Sequence, residues 1–215
     1  MEVFDEIKEM YADALLKHGD SPSSLLTPKG RNKLRFRAVG QQINRGGIKI
    51  LDYGCGLGYL YEYLSKFDYP VEYTGVDILP QFIDTCKSKY PKAEFRLIKE
   101  TEPIDGAYDI VFASGVFNLI SHEAKELSKD YTFERIKHLF SITTDVLVCD
   151  FLSSVVDVEQ VKAQHFSASE IIEFCSKKLS RRFQLRHDLL PYEMTLIVWK
   201  NDEVFRPDNI YSADK

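Results

Sequence analysis

The stretch Ile48-Lys-Ile-Leu-Asp-Tyr-Gly-Cys-Gly-Leu-Gly58 decides the fold of this chain. Its first four residues form a mainly apolar run that predicts a β-strand. Glycines follow at positions 54, 56 and 58, and the residues from Leu57 onward favour a helix. A strand that turns through glycines into a helix lets a ligand lie directly on the backbone, because glycine has no Cβ and tolerates a positive φ. We therefore expect a ligand site at this turn, next to the unpaired N–H groups of the helix N-terminus.

The spacing of the glycines indicates which ligand this turn does not bind. The dinucleotide fingerprint G-x-G-x-x-G would need glycine or alanine at position 59, where this chain has Tyr59. Asp52 lies just before the first glycine, and its carboxylate would repel a pyrophosphate. The same carboxylate suits a ligand with a cationic amino group. A nicotinamide-dependent enzyme is therefore a poor match for this sequence.

With the strand and the acid that precede it, ILDYGCGLGYL resembles the first motif of the class I S-adenosylmethionine-dependent methyltransferases. The cofactor of that family, S-adenosyl-L-methionine, has an α-amino group, an α-carboxylate and a sulfonium but no phosphate. The resemblance implies an α/β fold: a Rossmann-like, doubly wound sheet of seven mostly parallel strands, with an antiparallel last strand and N-terminal lid helices. It also implies cofactor contacts from Asp52, Gly54, Cys55 and Gly56.

A second motif follows at the distance that the family shows. The segment Val71-Glu-Tyr-Thr-Gly-Val-Asp77 predicts the next strand. An acid about 20 residues after the glycine turn lies at the tip of that strand, within reach of ribose hydroxyls. By resemblance, Asp77 binds the ribose and Ile78 offers apolar surface to the adenine. The alternative is that Asp77 only caps the helix that opens near Pro80.

The composition predicts one globular domain. The chain has 215 residues, of which 44% are hydrophobic, and a net charge of −5. No run approaches the roughly 20 apolar residues that span a bilayer, and the acidic start does not resemble a signal peptide. The negative net charge disfavours broad nucleic-acid binding. The cysteines form no C-x-x-C pair and have no histidine cluster beside them, so we expect free thiols, no metal and a reducing, cytoplasmic location.

The sequence divides into a helical lid, a methyltransferase domain and a tail, expected over 1–47, 48–200 and 201–215. In the lid, apolar residues at helical spacing predict one helix over 3–17. Thr27-Pro28 predicts the N-cap and first turn of a second helix, which Gly46-Gly47 closes. In the family, such helices often pack over the cofactor and the substrate.

Two further cofactor contacts follow from the resemblance. The second lid helix is rich in lysine and arginine, and Arg35 is the candidate to pair with the cofactor carboxylate, since arginine offers bidentate geometry. The family usually carries an acid a few positions after the third strand, where it accepts from the adenine amino group. Glu100 is the candidate for that role. For both residues an ordinary solvated charge is the alternative.

The rest of the chain alternates as a doubly wound sheet should. The further predicted strands span 93–98, 108–113, 145–149, 181–185 and 193–199. The further predicted helices span 81–90, 131–141 and 167–179, the last of which opens with the capping box Ser167-Ala-Ser-Glu170. The last two strands are expected to be antiparallel neighbours at the sheet edge.

The acceptor side is expected after the fourth strand. Enzymes that methylate exocyclic or amide nitrogens commonly carry Asn/Asp-Pro-Pro-aromatic at this point, whereas this chain has Ser114-Gly-Val-Phe-Asn118. The segment looks more like that of small stand-alone methyltransferases of glycan or secondary-metabolite pathways. By this resemblance Ser114 lies near the methionine moiety, and Phe117 and Asn118 form the acceptor wall. The alternative is that Phe117 fills the core and Asn118 caps the loop.

A general base is needed if the acceptor is a hydroxyl or an ammonium. His165 and His122 are the preferred candidates, because both are expected to flank the mouth of the cleft and imidazole titrates near neutrality. Asp150, at the tip of the fifth strand, and His18, at the break after the first helix, are two others. A lone histidine in a loop is more often a surface or capping residue.

The sequence thus favours an S-adenosylmethionine-dependent methyltransferase that acts on a small-molecule or glycan acceptor, with oxygen as the expected site of methylation. Two alternatives stay open. One keeps the cofactor and changes the acceptor to RNA or protein, against which the negative charge and the lack of a recognition domain count. The other is a non-catalytic module that binds the cofactor or dimerises.

Overall fold

The computed structural model describes residues 3–27, 30–118, 125–160 and 163–201. Within them the helices are α1 (Val3–His18), α2 (Arg31–Gly40), α3 (Tyr59–Leu64), α4 (Pro80–Lys89), α5 (Lys125–Ser141) and α6 (Ala168–Lys178). A short 3₁₀ turn, Pro22–Leu25, lies between α1 and α2. The strands are β1 (Ile48–Tyr53), β2 (Val71–Asp77), β3 (Glu94–Leu97), β4 (Tyr108–Ala113), β5 (Thr143–Ser153), β6 (His165–Phe166), β7 (Phe183–Leu190) and β8 (Glu193–Trp199).

All the strands belong to one sheet, with the order β3-β2-β1-β4-β5-β8-β7. Strands β1 to β5 pair in parallel, whereas β8 runs antiparallel between β5 and β7. The chain winds outward from β1 through β2 to β3 and then crosses back to β4, so the strand order reverses between β1 and β4. Open sheets of this kind bind ligands at that switch point. The predicted doubly wound fold is confirmed.

The alternation of residues along the central strands builds a core on each face of the sheet. Leu51, Val111 and Leu147 pack into one apolar cluster with helices α5 and α6, and their chain neighbours pack into the other with helices α2, α3 and α4. Strands β1 and β4 are consequently apolar almost throughout, as expected for strands covered on both faces. No helix in the described ranges is long and apolar enough to cross a membrane.

The second lid helix is shorter than the sequence predicts. Helix α2 begins at Arg31 after Gly30, whose φ is 89°, and ends at Gly40. The prediction of an N-cap at Thr27 and an end at Gly46-Gly47 is therefore wrong. The Thr27 hydroxyl instead donates to the carbonyl of Leu25 at 3.0 Å, just after the 3₁₀ turn. Pro28 lies outside the described residues.

The strands near the C-terminal end also differ from the prediction. Strand β5 extends beyond the predicted end at Cys149, because Phe151 and Leu152 pair with Met194 and Glu193 of β8. Strand β6, which the sequence does not predict, pairs with this extension. By contrast, β4 and β8 have the predicted bounds, and the capping box of α6 is confirmed by hydrogen bonds in both directions between Ser167 and Glu170.

Candidate active site

A cavity of about 380 Å³ lies at the carboxyl ends of β1, β2 and β4, at the switch point. Its volume falls within the range of small-molecule sites, roughly 300–1,000 Å³. The strand ends contribute Asp52, Asp77 and Ser114 to its lining. Helix α1, the 3₁₀ turn and α2 contribute Tyr11, Leu25 and Arg35. The N-terminal helices thus form the roof of the cavity.

The glycine turn after β1 forms the floor of the cavity. Gly54, Gly56 and Gly58 have φ values of 77°, 54° and 72°, in the left-handed region that glycine tolerates. The N–H groups of Gly54 and Cys55 donate to the carbonyl of Val76 at 2.8 and 3.0 Å, which ties the turn to β2. The turn therefore presents rigid backbone to whatever occupies the cavity.

Asp52 lies at the end of β1 and lines the cavity. It is only 4% exposed and accepts a hydrogen bond of 2.6 Å from the Tyr73 hydroxyl. Burial raises the pKa of Asp52 to about 7, although the bond from Tyr73 acts in the opposite direction. Within the described ranges Asp52 forms no ion pair, so it is a buried acid that a cation in the cavity would stabilise.

Asp77 lies at the end of β2, beside Asp52 in the cavity lining. Its two carboxylate oxygens accept the N–H groups of Gly56 and Leu79, each at 2.9 Å. Burial raises the pKa of Asp77, and these backbone bonds partly offset that effect. Asp77 thus holds the turn that leads into α4, whose N-cap is Leu79 without a side-chain cap, and it also lines the cavity, as its predicted role requires.

Apolar side chains and one acid border the end of the cavity beyond β2 and β3. Ile78 and Phe82 line it, and the ring of Tyr11 packs edge-on against Phe82 with 5.9 Å between centroids. Glu100 also lines the cavity and forms an ion pair with Lys8 of α1, which lowers the pKa of that glutamate. Helix α1 is therefore fastened over the cavity by an aromatic contact and an ion pair.

Arg35 reaches the cavity from α2, but its charge already has partners. Its Nε and Nη2 atoms donate to the two carboxylate oxygens of Glu193 at 2.7 and 2.8 Å. The Asp150 carboxylate is 3.7 Å from Nε. Arg31, one turn earlier on α2, donates to the same glutamate at 2.9 Å. The lid helix is thereby held to strands β5 and β8.

Not all of the residues predicted for the acceptor side line the cavity. Ser114 and Asn118 line the cavity, and the Asn118 side chain accepts the N–H of Leu152 at 3.2 Å. Phe117 does not line it, because its ring lies in the core and stacks on Phe151 with 6.2 Å between centroids. For Phe117 the structure therefore supports the core alternative.

The predicted bases are not brought to the cavity by the described structure. His165 belongs to β6, is absent from the cavity lining, and its Nδ1 lies 2.7 Å from the Ser153 carbonyl oxygen. Asp150 is buried below the lining, where it accepts the N–H of Gly115 at 2.9 Å, and His18 ends α1 outside the cavity. His122 lies outside the described residues.

Sequence reasoning missed four residues that shape the cavity. Lys8, Tyr11 and Leu25 line it from the lid, and Glu193 holds Arg35 from β8. For Lys8 and Tyr11 the helical periodicity of α1 was a usable signal, since both lie on the face that carries the apolar residues. For Glu193 the only signal is an acid at the start of an otherwise apolar strand.

Comparison with known proteins identifies the family. A model of the methyltransferase domain matches residues 50–131, which include the glycine turn and both acids. The Mycobacterium tuberculosis protein Rv1506c, named as a methyltransferase, is 27% identical over 164 residues, which cover 71% of this chain and 93% of that protein. The matched region is a methyltransferase domain of the class I S-adenosylmethionine-dependent type.

Two further comparisons set the methyltransferase among its relatives. It is 30% identical over 100 residues to the ubiquinone biosynthesis O-methyltransferase of Coxiella burnetii, an alignment that covers 43% of this chain and 42% of that protein. The magnesium protoporphyrin IX methyltransferase of Synechocystis PCC 6803, solved with its bound cofactor, superposes with a TM-score of 0.60 at 17% identity, over 92% of this chain and 90% of that one. The second likeness shows the shared fold.

Proposed function

We propose that this methyltransferase transfers a methyl group from S-adenosylmethionine to an oxygen atom of a small polar acceptor, either a sugar or another small molecule. The observation that carries the proposal is the pair of buried carboxylates at adjacent strand tips, Asp52 and Asp77, on either side of a glycine turn. They suit a ligand that presents an ammonium group and neighbouring hydroxyls.

The residues of the cavity fit the cofactor. Asp52, a buried acid without a basic partner in the described ranges, would receive the α-ammonium group. The glycine turn Gly54-Cys55-Gly56 leaves room for the ligand against the backbone, and Asp77 would accept from the ribose hydroxyls. Ile78 would pack on the adenine ring, and Glu100 would accept from its amino group.

Two residues are assigned to the methionine end of the cofactor. In the proposed mode Arg35 donates to the α-carboxylate, and Ser114 lies beside the same part of the ligand. S-adenosylmethionine supplies the methyl group already activated on a sulfonium, so the protein has to orient and desolvate the two reactants. Helices α1 and α2 form the roof of the cavity in which the reactants are held. Positioning of two reactants lowers a barrier by roughly 7–11 kcal/mol at best.

The acceptor is assigned to the part of the cavity that is lined by neutral polar side chains. Asn32, Asn118 and Gln160 lie there, and their amides would donate to and accept from hydroxyl groups. The O-methyltransferase relative from Coxiella burnetii supports oxygen as the site of methylation. No histidine in the described part of the chain lines the cavity, so His165 is not the base in this proposal.

The test is methyl transfer from isotopically labelled S-adenosylmethionine to matched acceptors. We expect labelled product from hydroxylated acceptors and none from analogues in which the same hydroxyl is replaced by hydrogen. The linked atom is identified by mass spectrometry and NMR. Methylation of nitrogen would overturn the assignment to oxygen, and cofactor binding without transfer to any acceptor would favour a binding module.

Cofactor binding should release a proton near neutral pH. Because the pKa of Asp52 in the free protein is about 7, much of this carboxyl is protonated at pH 6.5, and a bound ammonium group would drive the proton off. The affinity should therefore rise as the pH rises through about 7 and fall roughly tenfold per unit below it. Calorimetry of S-adenosylhomocysteine binding in buffers of different ionisation enthalpy measures the released proton.

The variant Asp52→Asn and a second ligand provide the controls. Asp52→Asn should bind more weakly and show little pH dependence. The nucleoside 5′-methylthioadenosine lacks the α-ammonium group of the amino-acid part and should release no proton from the wild-type protein, even though its ribose still faces Asp77. Equal proton release with both ligands would contradict the assignment of Asp52 to the ammonium group.

A further inference from the structure

The charged cluster under the lid is more elaborate than an ordinary ion pair. Arg35, Asp150 and Glu193 are only 7%, 2% and 3% exposed. Two nitrogens of Arg35 bind Glu193 in a bidentate arrangement, the geometry that fixes a guanidinium most firmly. Arg31 donates to the same carboxylate, so one glutamate orients two arginines of α2.

The third nitrogen of Arg35 is left for a ligand. Nη1 has no hydrogen-bond partner within the described ranges, and it lies 3.5 Å from the position that a Cβ on Gly115 would occupy. Gly115 lines the cavity, and its φ of 72° favours glycine. Asp150 holds this turn in place by accepting the Gly115 N–H at 2.9 Å. The free nitrogen therefore faces the part of the cavity assigned to the methionine end of the cofactor.

We propose that Glu193 is a positioning residue, which fixes the guanidinium of Arg35 so that Nη1 donates to the α-carboxylate of the cofactor. This role rests on the proposed function, in which Arg35 is the carboxylate partner. Arginine has a long side chain that loses much rotamer freedom when it is fixed. Because Glu193 fixes it before the ligand arrives, that entropy is not lost on binding.

The charges of the site are consistent with this role. Arg31 and Arg35 balance Asp150 and Glu193, so the cluster offers a directed hydrogen bond rather than a net positive charge. The amino-acid end of the cofactor is zwitterionic, and its ammonium group is assigned to Asp52. A donor of fixed direction then selects for the carboxylate without the need for a surplus cation.

The variant Glu193→Gln tests the role through binding rather than turnover. An amide has only one oxygen to accept from Arg35, so the bidentate arrangement is lost. We expect the affinity for S-adenosylhomocysteine to fall about 10- to 100-fold, as for the loss of a hydrogen bond to a charged group. The affinity for 5′-methylthioadenosine, which lacks the amino-acid part, should stay within about twofold. Calorimetry measures both ligands on the wild-type protein and the variant.

A matched control is Glu94→Gln. Glu94 lies on β3 of the same sheet and pairs with Arg96 at 3.5 Å, but it does not line the cavity. This variant should leave the affinities for both nucleosides unchanged. If Glu193→Gln lowers both affinities equally, or neither, Glu193 does not position Arg35 for the carboxylate.

A second variant keeps the test decisive if Glu193→Gln fails to fold, because an unpaired buried charge is costly. The double variant Arg35→Met with Glu193→Leu removes both charges, and circular dichroism reports whether it folds. It should bind 5′-methylthioadenosine like the wild type and lose its preference for S-adenosylhomocysteine. A retained preference would overturn the role of Glu193. A wild-type protein that binds neither nucleoside would instead overturn the proposed function.

Discussion

Replacing Asp77 with alanine should lower the affinity for the cofactor by about 100-fold or more, as for the loss of two hydrogen bonds to a charged group. The carboxylate is assigned to the ribose hydroxyls, and it also accepts the N–H groups of Gly56 and Leu79. Its removal therefore takes away the ligand contact and loosens the glycine turn. Calorimetry with S-adenosylhomocysteine gives the affinity.

The matched control for this variant is Asp109→Ala. Asp109 lies at the other end of β4, where it also accepts a backbone N–H, that of Lys49 at 2.8 Å. Both variants lose a carboxylate that holds backbone, but only Asp77 lines the cavity. Far-UV circular dichroism and urea unfolding should show that both remain folded. Equal affinities for Asp77→Ala and the wild type would remove Asp77 from the ribose site.

Replacing Gly56 with valine should abolish measurable cofactor binding. A Cβ at this position would lie 2.7 Å from Cδ2 of Leu25, so the Leu25 side chain would have to shift, and the valine methyl groups would occupy space at the floor of the cavity. The φ of 54° is also unfavourable for a β-branched residue, at a cost of about 1–2 kcal/mol. Binding is again measured by calorimetry, and the free energy of unfolding by urea titration.

The variant Gly47→Val separates the two effects. Gly47 has a φ of 70°, yet nothing lies within 4 Å of a Cβ built there. Gly47→Val should lower the free energy of unfolding by about as much as Gly56→Val does, but it should bind the cofactor with the affinity of the wild type. Normal cofactor affinity of Gly56→Val would mean that the ligand does not lie against this turn. Equal losses of cofactor affinity in Gly56→Val and Gly47→Val would point to backbone strain alone.

The central part of the fold could be predicted because its determinants are local in sequence. The apolar run before Asp52, the glycines after it and the helix that begins at Tyr59 are adjacent in the chain. Their geometry follows from the absence of a Cβ and from the periodicity of buried residues. The same holds for β4 and for the capping box of α6, each of which is contained in a few residues.

The lid and the edge of the site depend on contacts between distant segments, which periodicity does not report. Thr27 is a good N-cap by residue type, but its hydroxyl is used by the 3₁₀ turn before α2. Strand β5 is longer than its apolar run because β8 pairs with its extension. Propensity is a weak prior in such places, since tertiary contacts override it.

The predictions for individual site residues divide in the same way. Asp52, Asp77 and Ser114 stand at strand ends, and the strand order alone brings them to one cavity. Phe117 follows β4 in a connecting segment and His165 belongs to the two-residue strand β6, which the sequence does not predict, and neither side chain reaches the cavity. Sequence identifies which residue types a loop offers, but the packing of the loop decides which of them face the ligand.

The pairing of Arg35 with Glu193 has a consequence for how the protein matures. The two residues are 158 positions apart, and β8, which carries the glutamate, is the last strand that the structure describes. Contacts between such distant segments form late, because a long loop must close first. A nascent chain on the ribosome can assemble β1 to β4 before the glutamate has been synthesised. Competence to hold the whole cofactor is therefore acquired only after β8 has been synthesised.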